Sequence, residues 1–165
     1  MNKTESNLSN GFDVLASDLG RPQRDTSRAD AVFSGAQILL NDLGWSCLME
    51  TPLANKRRAD ILAINRKGEF LIVEVKSCLT DFTSDAKWEE YADYCDYFCF
   101  AVDESFPQGR LPDETGLIVA DAFGGAVIRD FALDKLNGAR RKAVTLNFAR
   151  LAASRLYRNL TSSVV

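Results

Sequence analysis

Arg58-Ala59-Asp60-Ile61-Leu62-Ala63-Ile64 is followed by a short polar turn and then by Phe70-Leu71-Ile72-Val73-Glu74-Val75-Lys76. Three charged residues, Asp60, Glu74 and Lys76, thus interrupt two otherwise apolar strands. An unpaired charge in such a strand is heavily penalised by desolvation, so charges persist there when they are paired or bound to a metal. Near their middles both strands are apolar on both faces. That pattern belongs to central strands covered by helices on each side and predicts an α/β fold. Two carboxylates from adjacent strands, with a lysine one pleat further on, are also a set that holds Mg2+ and an attacking water against a phosphodiester.

The register decides whether the carboxylates meet. Side chains two apart on a strand share a face, so Glu74 and Lys76 point the same way with Val75 opposite. A four-residue turn, Asn65-Arg66-Lys67-Gly68, pairs Asp60 with Val73, one position short of Glu74. A bulge or a one-residue change in loop length brings the two acids together. They then offer, with the Val75 carbonyl, three hard oxygen ligands for Mg2+ or Mn2+, and Lys76 is placed to orient the nucleophile or to stabilise charge on the phosphorane. The spacing alone equally allows a structural ion pair of Glu74 with Lys76 or with an arginine at the strand end.

The 165 residues, 46% hydrophobic and 26% charged, suffice for one core. A single domain is expected over residues 26–165, preceded by a polar, mobile lead over 1–25. The absence of histidine excludes serine or cysteine catalysis with a His base and makes a His-rich zinc hydrolase implausible. The four cysteines, Cys47, Cys78, Cys95 and Cys99, lack zinc-ribbon spacing and read as small buried thiols. No apolar run reaches the roughly 20 residues that cross a bilayer, and the N-terminus is polar, so a cytoplasmic protein without a membrane partner is expected. The net charge of −3 divides unevenly: residues 135–165 carry seven Lys/Arg and no Asp/Glu, leaving thirteen against twenty-three before them. Such asymmetry suggests an acidic body with a cationic helix that can lie along phosphates; a solvated helix face explains the pattern equally well. Oligomeric state leaves no mark in the sequence.

A helix is expected from an N-cap at Thr26 or Ser27, with Val32, Ala36, Leu39, Leu40 and Leu43 at helical spacing and a stop at Gly44. Strands are predicted over 45–50, 58–64 and 70–76. A second helix is expected from Thr83 or Ser84, packing through Trp88, Tyr91, Ala92 and Cys95, followed by a strand over 97–102. Residues 117–120 and 126–129 form a hairpin, and 139–160 a terminal helix.

Asp60, thirteen intervening residues and Glu74-Val75-Lys76, placed after one helix and before another, resemble the PD-(D/E)xK nuclease superfamily. More narrowly, Arg57-Arg58-Ala59-Asp60-Ile61, Glu74-Val75-Lys76-Ser77, Ser84-Asp85-Ala86-Lys87-Trp88, Tyr91, Tyr94-Cys95-Asp96, Phe100-Ala101-Val102, Leu111-Pro112 and Gly116-Leu117-Ile118-Val119-Ala120-Asp121 resemble the MmcB-related bacterial DNA repair proteins, over about residues 28–130. The resemblance implies a restriction-endonuclease-like αβββαβ core with a mixed central sheet, and Mg2+-dependent hydrolysis of DNA, alone or with other repair proteins. Asp60 and Glu74 match the metal-binding acids and Lys76 the catalytic lysine, while Ala59 stands where a proline usually precedes the first acid. For the acid that many members carry on the first helix, Asp30, Asp42 and Gln37 are the residues available, with Glu50 on the first strand as a further metal candidate. Lys87 and Tyr91, four apart, are similar to a polar and Tyr pair beside the active site of some members. Arg57, Arg58, Lys87, Tyr91, Arg140 and Arg141 are the expected contacts to DNA, Lys87 through phosphate. A weakly active or inactive nuclease fold that holds DNA as a scaffold is the alternative, motivated by the uncertain helical acid and the basic C-terminal segment.

Overall fold

The structure, a computed structural model, describes residues 26–79 and 88–162. The expected lead over 1–25, the helix start at Thr83 or Ser84, and Lys87 lie outside these residues. Helix α1 (Thr26–Asp42) is followed by β1 (Ser46–Pro52), β2 (Arg58–Ile64), β3 (Phe70–Val75), a 3-10 helix (Trp88–Tyr94) and β4 (Tyr97–Val102). A short 3-10 turn (Gln108–Arg110), β5 (Gly116–Asp121), β6 (Gly124–Arg129) and α2 (Gly138–Ser162) complete the chain. The six strands form one sheet in sequential order, antiparallel except for the parallel pairs β3/β4 and β4/β5. The α/β class and the mixed sheet therefore stand as read from the sequence. Among the described residues no helix is long and apolar enough to cross a membrane.

Strand β3 shows why its sequence is apolar on both faces. Phe70, Leu71, Ile72 and Val73 are all fully buried. Leu71 and Val73 face α1 with Ile61, Ala63, Val32, Ala36 and Leu40. Phe70 and Ile72 face the other layer, where Tyr91 and Tyr94 of the 3-10 helix, Cys95 just after it and Val144 of α2 pack. The period-2 alternation thus feeds two cores at once. Leu43, counted with the apolar face of α1, lies past the end of the helix and is half exposed.

Helix α1 stops as its glycine predicts. The N–H of Gly44 donates to the Asn41 carbonyl and that of Trp45 to the Leu40 carbonyl, with Gly44 at φ +84°, a Schellman ending. Ser27 sits within the first turn rather than at its cap. The helix lies unusually close to the β5–β6 turn: a Cβ on Gly35 would stand 1.9 Å from the Asp121 carbonyl oxygen and 2.3 Å from that of Gly124. All four cysteines are free.

The β2–β3 turn corrects the expected register. Ile64 pairs with Phe70 and Ile61 with Val73, so the loop has five residues, not four. Glu69 is drawn into it because Asn65 closes the turn: its side-chain oxygen accepts from the N–H groups of Lys67 (2.9 Å) and Glu69 (3.0 Å), and its amide donates to the Glu69 carboxylate (2.7 Å). Gly68 takes the left-handed position at φ +75°. One more residue in the loop shifts the pairing by one, and Asp60 falls opposite Glu74.

Candidate functional site

Asp60 marks a row in which the β-ladder gives way on both sides. Towards β1 the pairing passes from Met49↔Ile61 to Thr51↔Ala59, and Glu50, the residue facing Asp60, has a left-handed φ of +46°. Towards β3 the pairing ends at Ile61↔Val73, one step before Asp60 and Glu74. Side chains replace the missing backbone bonds. The Asp60 N–H donates to Glu74 Oε1 (3.2 Å), and the Val75 N–H donates to Asp60 Oδ2 (2.8 Å). Three acids, Glu50, Asp60 and Glu74, thus stand abreast on three neighbouring strands.

The electrostatics of this row are unbalanced. Lys76 Nζ lies 4.0 Å from Glu74 Oε2, and both side chains are almost fully buried. One lysine between two carboxylates leaves a formal charge of −1 when all three are ionised. Burial, and next the charge of Asp60, push Glu74 up to about 8, against the opposing pull of Lys76, the Asp60 N–H and the hydroxyl of Tyr91. Asp60 is also raised, first by burial; the Val75 N–H and Lys76 act against this and Glu50 adds to it.

The row opens into a cleft of about 1090 Å³. Asp30 and Phe33 of α1 line one wall, so of the three helical candidates it is Asp30 that reaches the site. Asp42 is about 18 Å further along the helix axis. The opposite wall is the β1–β2 turn, Asn55 to Arg58, with Glu90 and Tyr91 behind it. That turn is fastened by the Asn55 amide on the Glu90 carbonyl (3.1 Å) and by Arg57 on the Glu90 carboxylate (2.6 Å), with the Arg57 guanidinium 5.8 Å from the centre of the Tyr91 ring. Tyr91 is thereby held with its hydroxyl 3.3 Å from the Arg58 carbonyl oxygen and in reach of Glu74. Arg58 is largely exposed and pairs with Glu50 at 2.5 Å. Lys56 occupies the left-handed place of the turn at φ +67°, a conformation that costs a lysine about 1 kcal/mol or more.

Of the residues singled out from the sequence, Asp60, Glu74, Val75, Lys76, Glu50, Arg57, Arg58 and Tyr91 come together here. Val75 contributes its N–H to Asp60. Arg140 and Arg141 do not line the cleft. Arg141 donates to both carboxylate oxygens of the buried Asp96 (2.9 and 2.5 Å) and to the Gly68 carbonyl (2.6 Å), while Arg140 lies 3.8 Å from Asp93 and 5.1 Å from the centre of the Tyr94 ring. The arginines at the head of α2 thus fasten that helix to the body. Lys56, Ser77 and Glu90 join the site although sequence reasoning gave them no role there; the cationic run Lys56-Arg57-Arg58 was the available signal for the first of these.

A family model for MmcB-like DNA repair proteins matches residues 18–163. The chain belongs to the MmcB-like family. That membership assigns it a role in DNA repair. This MmcB-like chain is also similar to the solved structure of a protein of unknown function from Silicibacter pomeroyi, at 35% identity over 86% of this chain and 97% of the other, with a TM-score of 0.80. No curated protein matches it.

The donor chemistry of the row bears on a metal. Among the described residues no group of three or more His, Cys, Asp or Glu side chains is gathered closely enough to hold an ion alone. Mg2+ does not require such a cage; it takes one or two carboxylates and keeps several waters or phosphate oxygens. Two adjacent carboxylates with surplus negative charge fit that demand.

Proposed function

We propose that this MmcB-like protein is a Mg2+-dependent DNA nuclease of the PD-(D/E)xK type, with Asp60, Glu74 and Lys76 at its centre. The observation that supports the reading is the Asp60–Glu74 clasp: two acids held side by side by each other's strands which, once both are ionised, carry more negative charge than Lys76 offsets. Asp60 and Glu74 would hold Mg2+ or Mn2+, with Glu50 and the Val75 carbonyl beside them. The bound ion would neutralise the scissile phosphate and lower the pKa of an attacking water. Lys76, with its ammonium fixed by Glu74, would orient that water or meet the charge that develops on the phosphorane. Arg58 and Lys56 at the cleft mouth would bind the DNA backbone as sequence-independent phosphate contacts.

Incubation of the purified protein with single-stranded, branched and damaged DNA and Mg2+ or Mn2+ tests this. Cleavage by the wild type that is lost in Asp60→Asn and Glu74→Gln is expected. No cleavage, or equal cleavage by all three proteins, rejects the nuclease. Salt-sensitive DNA binding without cleavage, retained in Asp60→Asn, would instead select the scaffold that works with other repair proteins. That second reading draws on the backbone hydrogen bonds each carboxylate already accepts.

A further inference from the structure

Arg155 lies in the far half of α2, remote in sequence from every residue of the cleft. Its guanidinium grips two consecutive backbone carbonyls of β1: Nη1 donates to Met49 and Nη2 donates to Glu50 at 2.9 Å. Successive carbonyls of a regular strand point in opposite directions, so one fork reaches both only where the strand leaves the extended form. It does so at Glu50, whose φ of +46° breaks the β1/β2 ladder directly opposite Asp60. A glutamate gains nothing from this backbone conformation by itself. The same bend carries an acid that lines the cleft and whose charge reaches Asp60.

We propose that Arg155 is a positioning residue: its two-pronged grip on the Met49 and Glu50 carbonyls fixes the bend that keeps Glu50 at the position facing Asp60, in the lining of the cleft. The proposal rests on the reading of that row as a metal site. It makes α2 part of the site's scaffolding through one side chain that touches neither metal nor DNA. Arginine is needed because a planar fork spans two acceptors, whereas a lysine ammonium is a point charge.

Two readouts test it. In the metal-free protein, the backbone 13Cα shift of Glu50 separates its left-handed conformation from an extended one; it should move from the left-handed range towards the extended range in Arg155→Ala and in the milder Arg155→Lys. In titrations with Mn2+, Arg155→Ala and Glu50→Gln should each weaken binding about tenfold. The double variant should be no weaker than either single one, because both changes remove the same contribution. A helix fastener without influence on the acid would lower the melting temperature yet leave the Glu50 shift and the Mn2+ affinity unchanged, and that result overturns the proposal. So does a double variant about a hundredfold weaker than wild type. If the wild type takes up no Mn2+, the metal reading fails separately and the Glu50 shift alone decides the role of Arg155.

Discussion

Strand β3 is bounded by two buried carboxylates that have met opposite fates. Asp96, which flanks Phe70 at one end, and Glu74 at the other are both nearly inaccessible, at 1% and 4% exposure, so solvent accessibility does not separate them. Their partners do. Asp96 accepts from the N–H groups of Phe70 (2.7 Å) and Leu136 (3.0 Å) and takes both prongs of Arg141. Burial alone would raise its pKa, but the Arg141 hydrogen bonds and the two backbone donors outweigh it and hold the group below the ordinary carboxylate range. Glu74 has one backbone donor, the Tyr91 hydroxyl, a lysine 4.0 Å away and a second carboxylate beside it, and rises to about 8. A carboxylate matched by its surroundings serves the fold; one left short of positive charge is the kind of group the proposed metal site requires.

The largest expected effect breaks the satisfied end. Asp96→Asn removes the charge that Arg141 answers and disturbs the junction of β3, β4 and α2, and should cost about 3–5 kcal/mol in urea unfolding. Glu74→Gln, equally buried, should cost far less in EDTA at pH 8 and can even stabilise, since it removes a repulsion. Equal losses from the two substitutions would erase the contrast.

The second effect is a pH dependence with a definite sign. Glu74 ordinarily titrates near 4.5 and in the native protein at about 8. Between these values the native state keeps a proton that the unfolded chain has lost. The contribution to stability is therefore complete below 4.5 and disappears as the pH rises through 8. Unfolding in EDTA should show a fall on the order of 3 kcal/mol from pH 5 to pH 8. Glu74→Gln should flatten that fall, and a profile unchanged by the substitution would show that another group carries it.

How far the sequence foretold these two ends follows from the range of the forces involved. The strands were legible because apolar runs and turn residues act locally, and Asp60, Glu74 and Lys76 were legible because charge in such runs is expensive. The register was missed by one because Asn65 closes its loop with a side chain and draws in Glu69, a detail that counting turn residues does not capture. The match of Arg141 to Asp96 across 45 positions, and of Arg155 to Met49 across 106, was invisible. The charge asymmetry of residues 135–165 left a helix along phosphates and a solvated helix face equally open; it did not show that Arg141 and Arg155 fasten that helix to the sheet.

The smallest effect contrasts the two turns that flank β2. Residues 53–57 and 65–69 share one hydrogen-bond pattern: the N–H of Leu53 donates to the Arg57 carbonyl as that of Asn65 does to Glu69, and the N–H of Lys56 to Leu53 as that of Gly68 does to Asn65. The fourth position is left-handed in both, yet the turn at the cleft holds Lys56 where the other has Gly68. Lys56→Gly should stabilise the protein by roughly 0.5–1 kcal/mol, measured by urea unfolding, while weakening DNA binding several-fold at low salt. Stabilisation with unchanged DNA affinity would leave the lysine without a part in binding.

The proposed metal site requires that the Asp60–Glu74 pair hold a proton where the cation would bind. Calorimetric titration of Mg2+ at pH 7, repeated in buffers of different ionisation enthalpy, counts the protons released on binding. Saturable binding with release of close to one proton, both lost in Glu74→Gln, is the predicted result. No saturable binding, or binding without proton release that Glu74→Gln leaves intact, would contradict it.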